Sequence, residues 1–200
     1  MATRTDIANY ALIMVGEQVA VDITNEDEGQ HAVWANRLYD QTKLEVLRSH
    51  NWGCARKRVE LAEEASAPVF GYENAFSLPS DFVRAVSYND VDPDDVDKPV
   101  VERMRNTLAT DEATLKLDYI ANVDDGLLDP LCVEAIYTLL ASKLAWAIQQ
   151  NRTMREELMA QYRNVLTHAK FVSSTETRKA LPSRRRQSGW IDARYSSTNG

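Results

Sequence analysis

Several residue groups in this chain are of types that can do chemistry. Carboxylates come in adjacent pairs, Glu63–Glu64 and Asp124–Asp125, and five aspartates crowd residues 90–97: Asp90, Asp92, Asp94, Asp95 and Asp97. Two carboxyl groups flanking a glycosidic bond are the machinery of a glycan hydrolase. Adjacent acids in turn sequence, however, read as solvated surface, and nothing singles out one pair. The aspartate run invites a calcium ion. An EF-hand loop needs acids at fixed offsets, a central glycine and a closing glutamate between two helices. This run has neither the glycine nor the glutamate, and Pro93 and Pro99 intrude. The three histidines, His31, His50 and His168, show no metal-ligand spacing with each other or with Cys54 and Cys132. Two cysteines this far apart do not make a disulfide framework and read as small apolar fillers in a reducing compartment. There is no glycine-rich phosphate loop, no Gly-x-Ser-x-Gly elbow and no His-Glu-x-x-His helix. The expectation is a protein that is not an enzyme, with no catalytic residue, no cofactor and no metal.

The other chemistry-bearing group lies near the end of the sequence. Arg184-Arg185-Arg186 is followed by Trp190, Ile191 and Tyr195, in a segment rich in serine and poor in core-forming residues. Residues 171–200 hold six basic groups and two acids, a surplus of four positive charges; against a net −7 for the chain, the other 170 residues carry −11. The arginine run fits three readings: phosphate binding in a DNA-binding module, a solvated tail, or docking onto an acidic protein surface. An acidic body repels free nucleic acid. Arginines beside an aromatic anchor are the composition of an interface hot spot. Residues 173–200 are therefore expected to be an extended basic arm that orders on a protein partner, using Arg184, Arg185, Arg186, Trp190, Ile191 and Tyr195.

The elements that carry these groups follow from periodicity. Two hundred residues, 44% apolar and 26% charged, suffice for one core with a small insertion. No apolar run is long enough to cross a bilayer, and the N-terminus has no signal-peptide pattern, so folding in the cytoplasm is the default expectation. Apolar residues at helical spacing predict helices near 3–15, 29–49, 129–150 and 153–172. Asp129-Pro130 and the Thr153-to-Glu156 capping box mark two of the starts. In the second helix Ala32, Ala35, Tyr39, Thr42 and Val46 form the apolar stripe, with Lys43 among the residues facing away. Strand-like patterning covers 56–61, 82–88 and 114–120. The expected fold is mainly α with a small β-rich insert, a four-helix bundle core plus an extended C-terminal arm. Residues 1–53 and 123–172 form the α-helical bundle, 54–122 the separable β-rich insert, and 173–200 the arm.

The order of these parts resembles a known family. Ala11-Leu12 and Val15-Gly16-Glu17 lie in the first helix and its end. Leu47-Arg48-Ser49-His50-Asn51-Trp52 closes the second, and Leu78-Pro79-Ser80-Asp81-Phe82-Val83-Arg84 lies in the insert. Leu117-Asp118-Tyr119, Asp129-Pro130-Leu131 and the helix through Leu139-Leu140-Ala141-Ser142-Lys143-Leu144-Ala145 follow. In that order, over residues 5–172, the chain resembles the tail tubular protein A family of short-tailed bacteriophages, the head-to-tail adaptors beneath the portal. The resemblance implies a non-enzymatic subunit of a homo-oligomeric ring of twelve, located in the tail or neck of the virion and assembled in the host cytoplasm. Its implied partners are the portal protein, met through the C-terminal arm, and the tubular nozzle protein. Double-stranded DNA would pass through the bore without specific binding, and no membrane is involved. A DNA-binding module using the basic tail and a carboxylate-dependent glycan hydrolase remain the alternatives.

Overall fold

Thr3 starts the first helix because its side chain and that of Asp6 satisfy each other's backbone donors, a capping box that anchors α1 (Arg4–Val15). The computed structural model describes residues 2–66, 68–91 and 98–176. α1 ends where Gly16 takes a φ of 79°, so that the Gly16 N–H donates to Ile13 and the Glu17 N–H donates to Leu12. That left-handed conformation is open to glycine at little steric cost and ties off two orphan carbonyls. After a short 3-10 turn, α2 (Gln30–Ser49) buries Ala32, Ala35, Tyr39, Thr42, Val46 and Leu47 along one stripe.

Six strands follow: β1 (Arg56–Glu60), β2 (Asn74–Ser77), β3 (Phe82–Tyr88), β4 (Glu102–Met104), β5 (Thr107–Thr110) and β6 (Lys116–Ala121). They form two antiparallel three-stranded sheets, ordered β1–β6–β3 and β2–β5–β4. The chain past β1 runs on beside β2, where the Glu64 N–H donates to Ala75 at 2.7 Å, and so leads from one sheet into the other. Two helices complete the described chain, α3 (Pro130–Ala147) and α4 (Arg152–Glu176). α3 is apolar almost all round: Cys132, Ile136, Leu139, Leu140 and Leu144 are buried, and α1, α2 and α4 all pack against it. A helix with that burial must be the centre of its layer.

The expected four-helix bundle with a small β insert is corrected by this arrangement. The fold is mixed α/β, 49% helical and 19% strand, with two sheets rather than one minor lobe. The physical reason lies in β6. Its alternating sequence, Lys116-Leu117-Asp118-Tyr119-Ile120, is the pattern of a strand with one wet face. In the structure every residue from Leu117 to Ala121 is buried, because β6 is the central strand of its sheet and Asp118 is neutralised by arginines. Leu117, Tyr119 and Ile120 thus join α1, α2 and α3 in one continuous hydrophobic core. Short strands β2, β4 and β5 offer three or four residues each, too few for a period to show, and the sequence reading missed them. The final helix also starts differently. Asn151, not Thr153, caps α4, its side chain accepting from the Met154 N–H at 3.0 Å, and Glu156 pairs with Arg152 instead.

Candidate functional site

The docking residues expected on the arm, Arg184, Arg185, Arg186, Trp190, Ile191 and Tyr195, lie outside the described residues. So do Asp92, Asp94, Asp95 and Asp97 of the aspartate run. The paired acids are placed. Glu63 and Glu64 are exposed, and Glu64 accepts a hydrogen bond from the Ser77 hydroxyl. Asp124 is exposed, whereas Asp125 turns inward to Lys43. Among the described residues no group of three or more His, Cys, Asp or Glu side chains is arranged to hold a metal ion. No described helix is long and apolar enough to cross a membrane.

What the fold does assemble is a set of charged ties across the β1–β6–β3 sheet. Register puts Arg58 opposite Asp118 and Lys57 opposite Tyr119, so alternation sends the two pairs to opposite faces. On one face Arg56 grips Asp118 with two hydrogen bonds, Nε to Oδ1 at 2.8 Å and Nη2 to Oδ2 at 2.5 Å, and Arg58 Nε adds a third at 3.3 Å. Burial raises the Asp118 carboxyl, but the Arg56 hydrogen bonds and the two guanidinium charges outweigh it and hold the group below the ordinary aspartate value. On the other face Asp81 accepts from Lys57 Nζ at 2.7 Å and from the Tyr119 hydroxyl at 3.0 Å. Burial again pushes the carboxyl up, and these donors pull it down further. Burial and the bond to Asp81 push the Tyr119 hydroxyl up to about 12. Both acids are committed to cations, which makes the arrangement a clamp.

A second cluster joins sheet and helices. Lys43, expected on the wet face of α2, is 7% exposed. Its Nζ donates to the Val123 carbonyl and to Asp125 Oδ1, both at 2.6 Å. Tyr39, one turn earlier on α2, is buried beside Asp125; burial, then that charge, pushes its hydroxyl upward. Lys143 of α3 reaches Glu45 at 2.6 Å and the Thr42 hydroxyl at 3.2 Å on the same flank of α2.

The two cysteines, far apart in sequence, meet. Cys54 precedes β1 and Cys132 lies in the first turns of α3, and their thiols interact. That contact outweighs burial at Cys54 and lowers its thiol to about 7, while Cys132, wholly buried as the donor, is pushed up. Cys54 is half-buried and lines a crevice with Trp52, Asp129 and Val172. Nearby, His50 stands edge-on to Trp52 at 5.4 Å between ring centroids. Burial, with Lys170 and Arg84 nearby, lowers its pKa. No spacing in the sequence signals the meeting of the two cysteines, since it depends on how α3 docks behind the turn at Trp52.

Comparison with known proteins assigns no family: no protein-family model matches the sequence, and no curated protein matches it either.

Proposed function

We propose that this chain is a structural head-to-tail adaptor of a short-tailed bacteriophage, a non-enzymatic subunit of a ring set between the portal and the tubular nozzle. The observation that carries the reading is the distribution of charge along the chain. Residues 1–170 form an acidic body at −11, and residues 171–200, which begin in the last turns of α4 (Arg152–Glu176), form the basic segment that holds Arg184, Arg185, Arg186 and Trp190. An acidic body suits a wall past which a DNA duplex slides, since like charge keeps phosphates from sticking. A basic aromatic segment suits capture of an acidic protein surface, the arginines steering encounter and the tryptophan slowing release. The ordered run of motifs from the first helix to α3 adds to this reading through its resemblance to the tail tubular protein A family.

The test is binding to portal-bearing heads, comparing the full chain with one ending at Glu176. The full chain should bind and show rings by negative-stain imaging, and the shortened one should stay folded and fail to join. Trp190→Ala should weaken binding by about 2 kcal/mol at every salt concentration, while glutamine at 184–186 should slow association at low salt only. Unchanged binding by the shortened chain overturns the reading. So does salt-sensitive retention of DNA by a free monomer, or glycan turnover abolished by one acid-to-amide change.

A further inference from the structure

Two exposed patches have no role in the reading above. The first lies between β1 and β2, where Val69 is 97% and Phe70 82% exposed. Gly71, at a φ of 97°, turns the backbone directly behind them. This tip rises from acidic surface: Glu63 and Glu64 precede it, and Glu73 follows, its N–H bonded to Asp111. No lysine or arginine occurs between Arg58 and Arg84. The second patch is on the helical layer. Trp146, at the end of α3, is half exposed and shares a cleft of about 610 Å³ with Arg152, Arg155, Glu156, Met159 and Arg163 of α4. The Arg155 guanidinium lies 5.8 Å from the Trp146 ring centroid, and Arg152 pairs with Glu156 at 2.8 Å.

We infer that these patches are the two halves of one head-to-tail contact between copies of this chain: Val69 and Phe70 of one copy enter the Trp146 cleft of the next. The match holds in two independent respects. An aromatic tip meets a tryptophan and a methionine, contacts that favour offset or edge-on ring packing and soft sulfur surface. An acidic rim meets three arginines, of which one has an acidic partner on its own helix. The cleft volume falls within the roughly 300–1,000 Å³ of sites that enclose small groups. Neither patch covers the other within one chain, because both are exposed. As knob and cleft are different surfaces, the contact is heterologous: each copy uses both, and addition continues until a ring closes or a filament grows. This contact rests on the ring reading for its purpose, but its chemistry is present in the free chain.

The test is sedimentation velocity on the full chain, without portal, across concentration and salt. Mass should rise with concentration at low salt and fall back as salt screens the rim. Chains carrying Val69→Ser with Phe70→Ser, or Trp146→Ala with Arg155→Glu, should each weaken association at least tenfold. Mixed in equal amounts, the two variants should form dimers and nothing larger, since one intact knob and one intact cleft remain. Arg155→Glu alone, at an exposed helical position, should also weaken association, and Glu63→Lys in the same chain should recover part of the loss. Circular dichroism matching the parent shows that each variant folds. Wild-type chain that stays monomeric up to about 1 mM, variants that associate as the parent does, or a mixture that fails to pair each overturns the contact. Capture of the nozzle protein through Phe70 by a monomeric chain assigns the patch to that partner and overturns it too. Rings on portals built from the Phe70→Ser chain would leave the adaptor reading standing and this contact wrong; self-association by a chain that ignores portals would do the reverse.

Discussion

Lys43 on α2 donates to Asp125, 82 residues later in the chain, at 2.6 Å, with both side chains largely withdrawn from water. The same ammonium donates to the Val123 carbonyl. One cation therefore pins the segment that leaves β6 and enters α3 against the face of α2, at the joint between sheet and helices.

Breaking that joint from one side should be costly. Lys43→Ala leaves a carboxylate and a carbonyl without their donor, and removing one partner of a buried pair costs about 3–5 kcal/mol. Lys43→Met with Asp125→Asn should recover a large part of the loss, because a buried pair gains little over a well-packed neutral replacement. Urea midpoints of the parent, Lys43→Met, Asp125→Asn and the double variant give the coupling, expected to exceed about 1 kcal/mol; additive losses would show that the two residues act independently.

Asp118 should be a stability determinant with a definite pH signature. Asp118→Asn exchanges charged hydrogen bonds for weaker ones and should cost roughly 2 kcal/mol at neutral pH. The folded carboxyl titrates below its ordinary 3.8, so the unfolded chain binds the proton first as pH falls. Its contribution is complete above the unfolded pKa and disappears as pH drops through the folded one. The variant should accordingly show a shallower acid limb in thermal melts below pH 5; an identical limb would remove Asp118 from the account.

His50 acts at higher pH. Its Nε2 is buried without a hydrogen-bond partner, and Trp52, Lys170 and Arg84 surround it. The folded pKa lies below the ordinary 6.5, so the unfolded state takes up the proton more readily and acidification through that value favours unfolding. Thermal midpoints should fall between pH 6.5 and 5, and His50→Gln should flatten that slope. Equal slopes in parent and variant would place the effect elsewhere.

Cys54 should be the reactive thiol. Lowered to about 7 and half-exposed, it is substantially thiolate at neutral pH, while Cys132 is buried and held as the thiol. Maleimide should modify one cysteine in the native protein, with a rate that rises through a midpoint near pH 7, and Cys54→Ser should abolish this fast phase. Cys132→Ala removes the donor that lowers Cys54 and should move the midpoint upward. A midpoint unmoved by Cys132→Ala would separate the two thiols.

The helices were legible in the sequence because their signals are local. Apolar spacing puts the first two starts within a few residues of Arg4 and Gln30, Asp129-Pro130 marks that of α3, and the stripe from Ala32 to Val46 is the buried face of α2. The dominance of α3 was equally readable, since a helix apolar on nearly every side can only be central. What sequence could not show was where polar residues go when a distant partner neutralises them. Lys43 and Asp118 look solvent-facing in their own segments, and each is buried because Asp125, Arg56 and Arg58 arrive from elsewhere. That difference decided the architecture. With Asp118 wet, β6 edges a minor insert; with Asp118 clamped, β6 is a central strand sharing the helical core, and the fold is mixed α/β. Periodicity reports which residues avoid water when unpaired. Which charges enter the core as pairs is a long-range Coulomb and hydrogen-bond matter, fixed only when the tertiary structure brings the partners together.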